Sequence, residues 1–156
     1  MRARYSLVWV AVVCAGLCPI AKAAKPLLPA PSTWRLDLMR SDFDGGPRVK
    51  SDVFTVESDK GAMMSMEFVT VNAAGETVKS SWSGREDGKL QPMEGSPGAS
   101  FGIDKKGNEH WVYADGTTCD GKLSVEKDKQ SLLMRLTVRL KDGKEFHQML
   151  IYERTE

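Results

Sequence analysis

The sequence has few of the residues from which metal and catalytic sites are usually built. Its 156 residues contain three cysteines and two histidines, with no Cys-x-x-Cys or His-x-His spacing. Cys14 and Cys18 lie in an N-terminal segment that we expect to be removed, which leaves Cys119 without a partner for an intramolecular disulfide. We therefore expect sheet packing to stabilise the fold, and we predict no metal or other cofactor.

A long hydrophobic run is also missing. The apolar stretch Leu7–Ile20 has 14 residues, fewer than the roughly 20 that span a bilayer. Arg2 and Arg4 precede it and Ala21-Lys22-Ala23 follows it, a pattern typical of a cleaved signal peptide. We predict a signal peptide over residues 1–23, export to the periplasm or the outside of the cell, and no membrane span after cleavage.

Neither sign of charge dominates the chain. The formal net charge is +1, and cleavage would remove three basic residues and no acidic one, so that it would fall to −2. Lysine and arginine are interleaved with acidic residues and form no basic stripe. Nucleic acid is therefore excluded as an expected partner, because its binding depends on clustered basic side chains that meet phosphates.

Helical periodicity is absent, and a regular series of tight-turn signals takes its place. Each signal joins a glycine to a polar neighbour, as in Asp59-Lys60-Gly61, Gly75-Glu76, Asp87-Gly88, Gly107-Asn108, Asp115-Gly116 and Asp142-Gly143. The runs between them alternate apolar and polar residues, as half-buried strands do. We predict an all-β fold, a single antiparallel meander β-barrel of about eight to ten strands with little or no helix.

The mature chain divides into two parts. Residues 24–31 contain Pro26, Pro29 and Pro31, which indicate an extended lead-in without regular structure. Residues 32–156 are predicted to form the barrel domain.

The last hairpin indicates which side chains point inward. If its loop is the two residues Asp142-Gly143, Val138 faces His147, and the apolar alternation from Leu132 to Leu140 places His147 inside. The side chains then expected outside are Phe146, Leu150 and Tyr152. A three-residue bulged loop would shift the register by one and exchange the two sets. We favour the first register, because Asp-Gly is the strongest two-residue turn signal.

Large, adaptable apolar side chains are the best candidates for a pocket lining. Methionine fills irregular space and tryptophan supplies flat walls, and a barrel of about eight strands either fills with side chains or holds one ligand. The predicted ligand-binding residues are Phe54, Met64, Met66, Phe68, Trp82, Met134, Leu136 and His147. The alternative is that these residues pack against one another as a filled core.

No sequence motif identifies a reaction. Gly-x-Ser-x-Gly is absent, and the loop Gly95–Gly98 has too little helix after it to bind phosphate. We favour a non-catalytic protein. The enzyme alternative would use acidic residues or His147 at the barrel mouth.

Three short motifs carry a resemblance to known proteins. They are Thr33-Trp34-Arg35-Leu36, Ser41-Asp42-Phe43-Asp44-Gly45-Gly46-Pro47, and Asp87-Gly88-Lys89-Leu90-Gln91-Pro92 followed by Gly95-Ser96-Pro97. The chain resembles lipocalin-like (calycin-type) proteins, and more closely small exported bacterial proteins of uncharacterised function. The resemblance implies a β-barrel with Trp34 plugging its closed end, and it implies no known reaction.

Two functions from different classes follow from these observations. We expect an exported β-barrel that binds a small apolar or amphiphilic molecule. The rival hypothesis is an interaction protein with a filled core, which would bind a protein partner or a second copy of itself through the outer patch of Phe146, Leu150 and Tyr152.

Overall fold

The computed structural model describes residues 25–60 and 62–155, so the predicted signal peptide over residues 1–23 lies outside the described residues. Ten strands account for most of the described chain. In order they are β1 (Ser32–Leu36), β2 (Val49–Lys60), β3 (Met63–Asn72), β4 (Thr77–Arg85), β5 (Gln91–Pro92), β6 (Ser100–Ile103), β7 (Asn108–Val112), β8 (Thr118–Val125), β9 (Ser131–Arg139) and β10 (Glu145–Arg154).

The strands form one antiparallel sheet in the spatial order β4-β3-β2-β1-β10-β9-β8-β7-β6-β5. The first and last strands of the chain therefore lie side by side in its middle, with Trp34 opposite Arg154. This arrangement confirms the predicted all-β meander barrel, and residues 25–60 and 62–155 contain no helix. Consequently none of the described segments is a helix long and apolar enough to cross a membrane.

The sheet curls until its two edges meet, which makes a nearly closed barrel. Ser81 in β4 and Glu94 after β5 exchange two backbone hydrogen bonds of 3.0 and 2.9 Å. Next to this junction the backbones approach so closely that a Cβ on Gly95 would lie 2.4 Å from the carbonyl oxygen of Lys79. Gly95 also has a φ of +75°, so a side chain there would meet both strain and a backbone clash.

One turn geometry recurs at four of the hairpins. In the last of them the Gly143 N–H donates to the carbonyl of Leu140 at 2.9 Å, and the Leu140 N–H donates to the carbonyl of Lys144 at 2.8 Å. Gly143 has a φ of +87°, whereas Asp142 does not have a positive φ. A two-residue type I′ turn needs positive φ at both positions, so the loop is instead a three-residue turn with a bulge at glycine.

The favoured register of the last hairpin is therefore wrong, and the alternative is observed. Val138 faces Phe146, and Leu136 faces Gln148. Leu150 and Tyr152 are buried inside the barrel, whereas His147 is exposed on its outer face. The inward face of β9 is as predicted. A one-residue slip of β10 exchanges its two faces.

The two ends of the barrel differ in how they are filled. The open end carries the turns at residues 72–77, 112–118 and 139–145, and the filled end lies opposite. Large side chains that are at most 2% exposed occupy the filled end: Leu28, Trp34, Val56, Met64, Met66, Ile103, Leu123 and Leu132. Leu28 belongs to the predicted lead-in, so that segment contributes to the core as well as leading into β1.

Two glutamates, Glu86 and Glu109, are at most 7% exposed. Glu109 is 4% exposed, and its Oε2 has no hydrogen-bond partner. Burial raises the pKa of Glu109 from 4.5 to about 8, although a hydrogen bond from the Trp111 side chain opposes the shift. The folded protein therefore favours the neutral form of Glu109.

We expect the substitution Leu28→Ala to lower the free energy of unfolding by about 2–5 kcal/mol, because it leaves a cavity at the filled end. Urea denaturation measures this change. Leu38→Ala is the matched control, since Leu38 is 41% exposed and should change stability by less than about 1 kcal/mol. Equal effects of the two substitutions would show that Leu28 does not contribute to the core of the filled end.

We expect Glu109→Gln to stabilise the protein increasingly as the pH rises. The folded-state pKa of Glu109 is raised to about 8, so its contribution to stability is complete below about 4.5 and is lost as the pH rises through about 8. Relative to the variant, the unmodified protein should lose up to about 1.4 kcal/mol per pH unit across this range.

Urea denaturation at a series of pH values from 4 to 9 tests this expectation. Glu57→Gln, which changes an exposed glutamate, is the control and should give curves parallel to those of the unmodified protein. Parallel curves for Glu109→Gln as well would contradict the raised pKa.

Candidate functional site

A cavity of about 760 Å³ occupies the open half of the barrel. Side chains from β1–β4 and β7–β10 surround it, together with the loops at residues 43–48 and 93–96. Its volume falls within the range of about 300–1,000 Å³ that is typical of pockets for small molecules.

Aromatic and aliphatic side chains make most of the cavity wall. Phe68 packs edge to face against Trp111 at a centroid distance of 5.3 Å, and it also contacts Phe54 at 6.2 Å. Met134 and Leu136 from β9 extend this surface across the barrel. Such walls can bury the apolar body of a ligand without requiring a specific orientation.

A hydrogen-bonded polar cluster interrupts the apolar wall. Asp52 points inward two residues before Phe54 and accepts hydrogen bonds from Tyr152 Oη at 2.8 Å and Thr70 Oγ1 at 2.5 Å. Burial raises the pKa of Asp52, while the two hydroxyl donors oppose the shift. The observed register of β10 creates this cluster, because it turns Tyr152 inward.

Charged groups of both signs lie around the rim. The Arg48 guanidinium carbon lies 5.2 Å from the centroid of the Phe43 ring, and both residues line the cavity. Asp115, in the β7–β8 turn, lies on another side. Hydrogen bonds from the Thr117 backbone and side chain hold the pKa of Asp115 low, so the rim carries an ionised carboxylate.

Two further ionisable groups line the cavity. Burial, together with the nearby Glu109 and Asp120 and against the opposing effect of Arg139, raises the pKa of the Cys119 thiol to about 12. Burial also raises the pKa of Tyr113. The thiolate is the nucleophilic form of cysteine, and the raised pKa keeps the Cys119 thiol protonated. Cys119 is therefore an unreactive part of the cavity wall.

The structure divides the predicted ligand-binding residues into three groups. Phe54, Phe68, Met134 and Leu136 line the cavity. Met64, Met66 and Trp82 are buried, but they do not line it. His147 was expected to point inward, and that expectation is wrong: its side chain is exposed, and its Nε2 lies 3.4 Å from Glu145 Oε1 on the outer face.

The predicted outer patch does not form. Leu150 and Tyr152 are 7% and 3% exposed and face the interior. Phe146 is half-buried against the loop at residues 41–48, where a Cβ on Gly46 would lie 2.8 Å from its ring. The one-residue shift in the register of β10 explains why His147 lies outside and why Leu150 and Tyr152 lie inside. It also removes the outer patch on which the rival hypothesis depended.

Trp34 is completely buried at the filled end, and its indole N–H donates to Ser32 Oγ at 2.8 Å. Its ring also stacks on Phe54 at a centroid distance of 6.3 Å. Trp34 therefore lies between the floor of the cavity and the filled end of the barrel. Its role as a plug stays a prediction.

The histidines do not supply a site. His110 lies on the outer face beside Asp120, and His147 is outside as well. In the part of the chain that the structure describes, no group of three or more histidine, cysteine or acidic residues could hold a metal ion. The enzyme alternative named acidic residues or His147 at the barrel mouth. The His147 imidazole lies on the outer face, whereas Asp115 lies at the rim.

Sequence reasoning missed the polar residues of the cavity. Asp52 and Thr70 occupy inward positions on β2 and β3, in step with Phe54 and Phe68. A polar residue at an inward position of a period-2 strand was the available signal. Trp111 in β7 and Tyr113, which directly follows β7, are likewise two residues apart, and both line the cavity.

Comparison with known proteins gives a similarity of fold and no family. No protein-family model and no curated protein matches the sequence. The fold is similar to that of a de novo designed fluorescence-activating β-barrel, with 14% sequence identity, a TM-score of 0.43, and coverage of 83% of this chain and 94% of the designed one. A similarity of this size carries no argument about what this chain binds.

Proposed function

We propose that this protein is a non-catalytic, exported binding protein that holds one small amphiphilic molecule inside its barrel. The observation that carries the proposal is the cavity of about 760 Å³, enclosed by eight of the ten strands and closed at one end by a filled core. A volume of this size suits a single small molecule.

The chemistry of the wall supports an amphiphilic ligand over a purely apolar one. Apolar contacts with Phe68, Trp111 and Leu136 favour burial of a hydrophobic body, at about 25 cal/mol for each Å² removed from water. The hydroxyl and carboxyl groups of Tyr152 and Asp52 provide a polar contact within the same cavity. A ligand with one polar end can satisfy both kinds of surface.

Export and lipocalin-like character belong to the proposal and rest on the sequence. The basic residues before Leu7–Ile20 and the small-residue pattern at Ala21-Lys22-Ala23 support cleavage before Ala24. The Thr33-Trp34-Arg35-Leu36 motif supports the lipocalin-like resemblance. An exported binding barrel would meet its ligand outside the cytoplasm.

We expect Leu136→Trp to weaken the binding of a neutral fluorescent dye, N-phenyl-1-naphthylamine, by at least about tenfold, because the larger side chain fills the cavity. Leu133→Trp is the matched control: Leu133 lies on the same strand, is also half-buried, and points outward. It should change the affinity by less than about twofold.

Fluorescence titration of the purified protein measures both affinities and the number of dye molecules bound. We expect one dye per chain. Equal affinities for the two variants, or no saturable binding by the unmodified protein, would refute the proposed function.

A further inference from the structure

Acidic side chains outnumber basic ones in and beneath the cavity. Asp52 lies in the wall, Asp115 lies at the rim, and Glu109 occupies the next inward position below Trp111. Among the described lining residues Arg48 is the one basic side chain, and its guanidinium stacks on Phe43 at the rim. Below the rim the described wall residues therefore include one acidic side chain, that of Asp52, and no basic one.

The ionisable groups of the wall report the same imbalance. Burial and then the charges of Cys119, Asp52, Glu109 and Asp115 raise the pKa of Tyr113. Burial, followed by the charge of Asp52, raises the pKa of Tyr152. Each group is a weak acid whose anionic form is disfavoured in the cavity. Burial, the largest cause in each case, disfavours a charge of either sign, whereas the acidic neighbours disfavour an anion and favour a cation.

Asp52 is the group best placed to contact such a charge. Its two carboxyl oxygens accept hydrogen bonds from Thr70 and Tyr152, and it forms no ion pair with any basic side chain in residues 25–60 or 62–155. An ionised carboxylate in a buried site is stabilised when an opposite charge comes within a few ångströms. A cationic ligand would supply that charge.

Aromatic rings line the same cavity as this carboxylate. Tyr152, which donates to Asp52, packs edge to face on Phe54 at 5.2 Å. Trp111 and Tyr113 stack with ring centroids 6.2 Å apart and planes 7° from parallel, and both line the cavity. The face of an aromatic ring attracts cations, and Trp and Tyr are the strongest partners.

We infer that the cavity selects an organic cation, an aromatic or alkyl body that carries a protonated amine, with the ammonium group at Asp52. This inference rests on the proposed function, because it names the chemical class of the molecule that the cavity binds. The apolar wall holds the body, and the acidic and aromatic groups select the charge.

The alternative ligand is an anionic amphiphile, whose acidic group would lie at Arg48. The observations favour the cation, because Arg48 lies at the rim and stacks on Phe43, whereas Asp52 lies in the wall of the cavity.

Three ligands with one naphthyl body and different charges test the inference. 1-Naphthylmethylamine is cationic at pH 7, 1-naphthylmethanol is neutral and nearly the same size, and 1-naphthoate is anionic. Isothermal titration calorimetry gives the three affinities. We expect the amine to bind at least about tenfold more tightly than the alcohol, and the naphthoate to bind most weakly.

The variant Asp52→Asn should reduce the preference for the amine over the alcohol to less than about twofold. Asp120→Asn is the matched control, since it removes an acidic charge from the outer face and should leave the preference unchanged. If Asp52→Asn does not fold, Asp115→Asn replaces it. The substituted asparagine keeps a side-chain oxygen for the Thr117 N–H, and a fall in the preference of at least about twofold is expected.

The outcomes separate the two proposals. Equal binding of amine and alcohol, or an amine preference that survives Asp52→Asn, would overturn the cation inference and leave the binding function intact. Tightest binding of naphthoate would overturn the cation inference and would indicate an anionic ligand that contacts Arg48. Failure of all three ligands and of N-phenyl-1-naphthylamine to bind would refute the proposed function itself.

Discussion

The cavity exists because the sheet closes on itself at a junction with little room for side chains. β4 and the chain after β5 meet through the paired backbones of Ser81 and Glu94. Gly95 permits the approach, because a Cβ there would meet the Lys79 carbonyl oxygen at 2.4 Å. Without closure the inward side chains would line an open surface, and Asp52 would be in contact with bulk water.

Closure leaves the two halves of the interior with different fillings. At the filled end Leu28, Trp34 and Leu132 are completely buried, and Trp34 stacks on Phe54. Towards the open end the inward positions carry smaller or polar side chains, including Thr70, Ser80 and Cys119. The position of the cavity therefore follows from side-chain size along the strands.

Much of the architecture could be predicted from the sequence. Glycine-containing turns and period-2 alternation indicated a meander barrel, and the inward face of β9 from Leu132 to Leu140 followed from its pattern alone. The face of β10 could not be fixed in the same way. Asp142-Gly143 is compatible with two turn geometries, and the choice between them depends on whether Asp142 has a positive φ, which it does not.

That single dihedral angle accounts for most of what was missed at the site. It moved His147 outside and brought Tyr152 to Asp52, so the polar cluster was invisible until the register was known. Buried acids such as Asp52 and Glu109 also contradict the local rule that inward positions are apolar. Departures of this kind concentrate where a protein uses its interior, and here they surround the cavity.

The central claim is that the open half of the barrel is accessible to a ligand while the filled half is not. NMR of the methionine methyl groups tests it directly, because Met93 and Met134 line the cavity, Met64 and Met66 are buried without lining it, and Met39 is 94% exposed. During titration with 1-naphthylmethanol, the signals of Met93 and Met134 should shift in a saturable manner and those of the other three should not. No shift at Met134, or the largest shift at Met39, would contradict the claim.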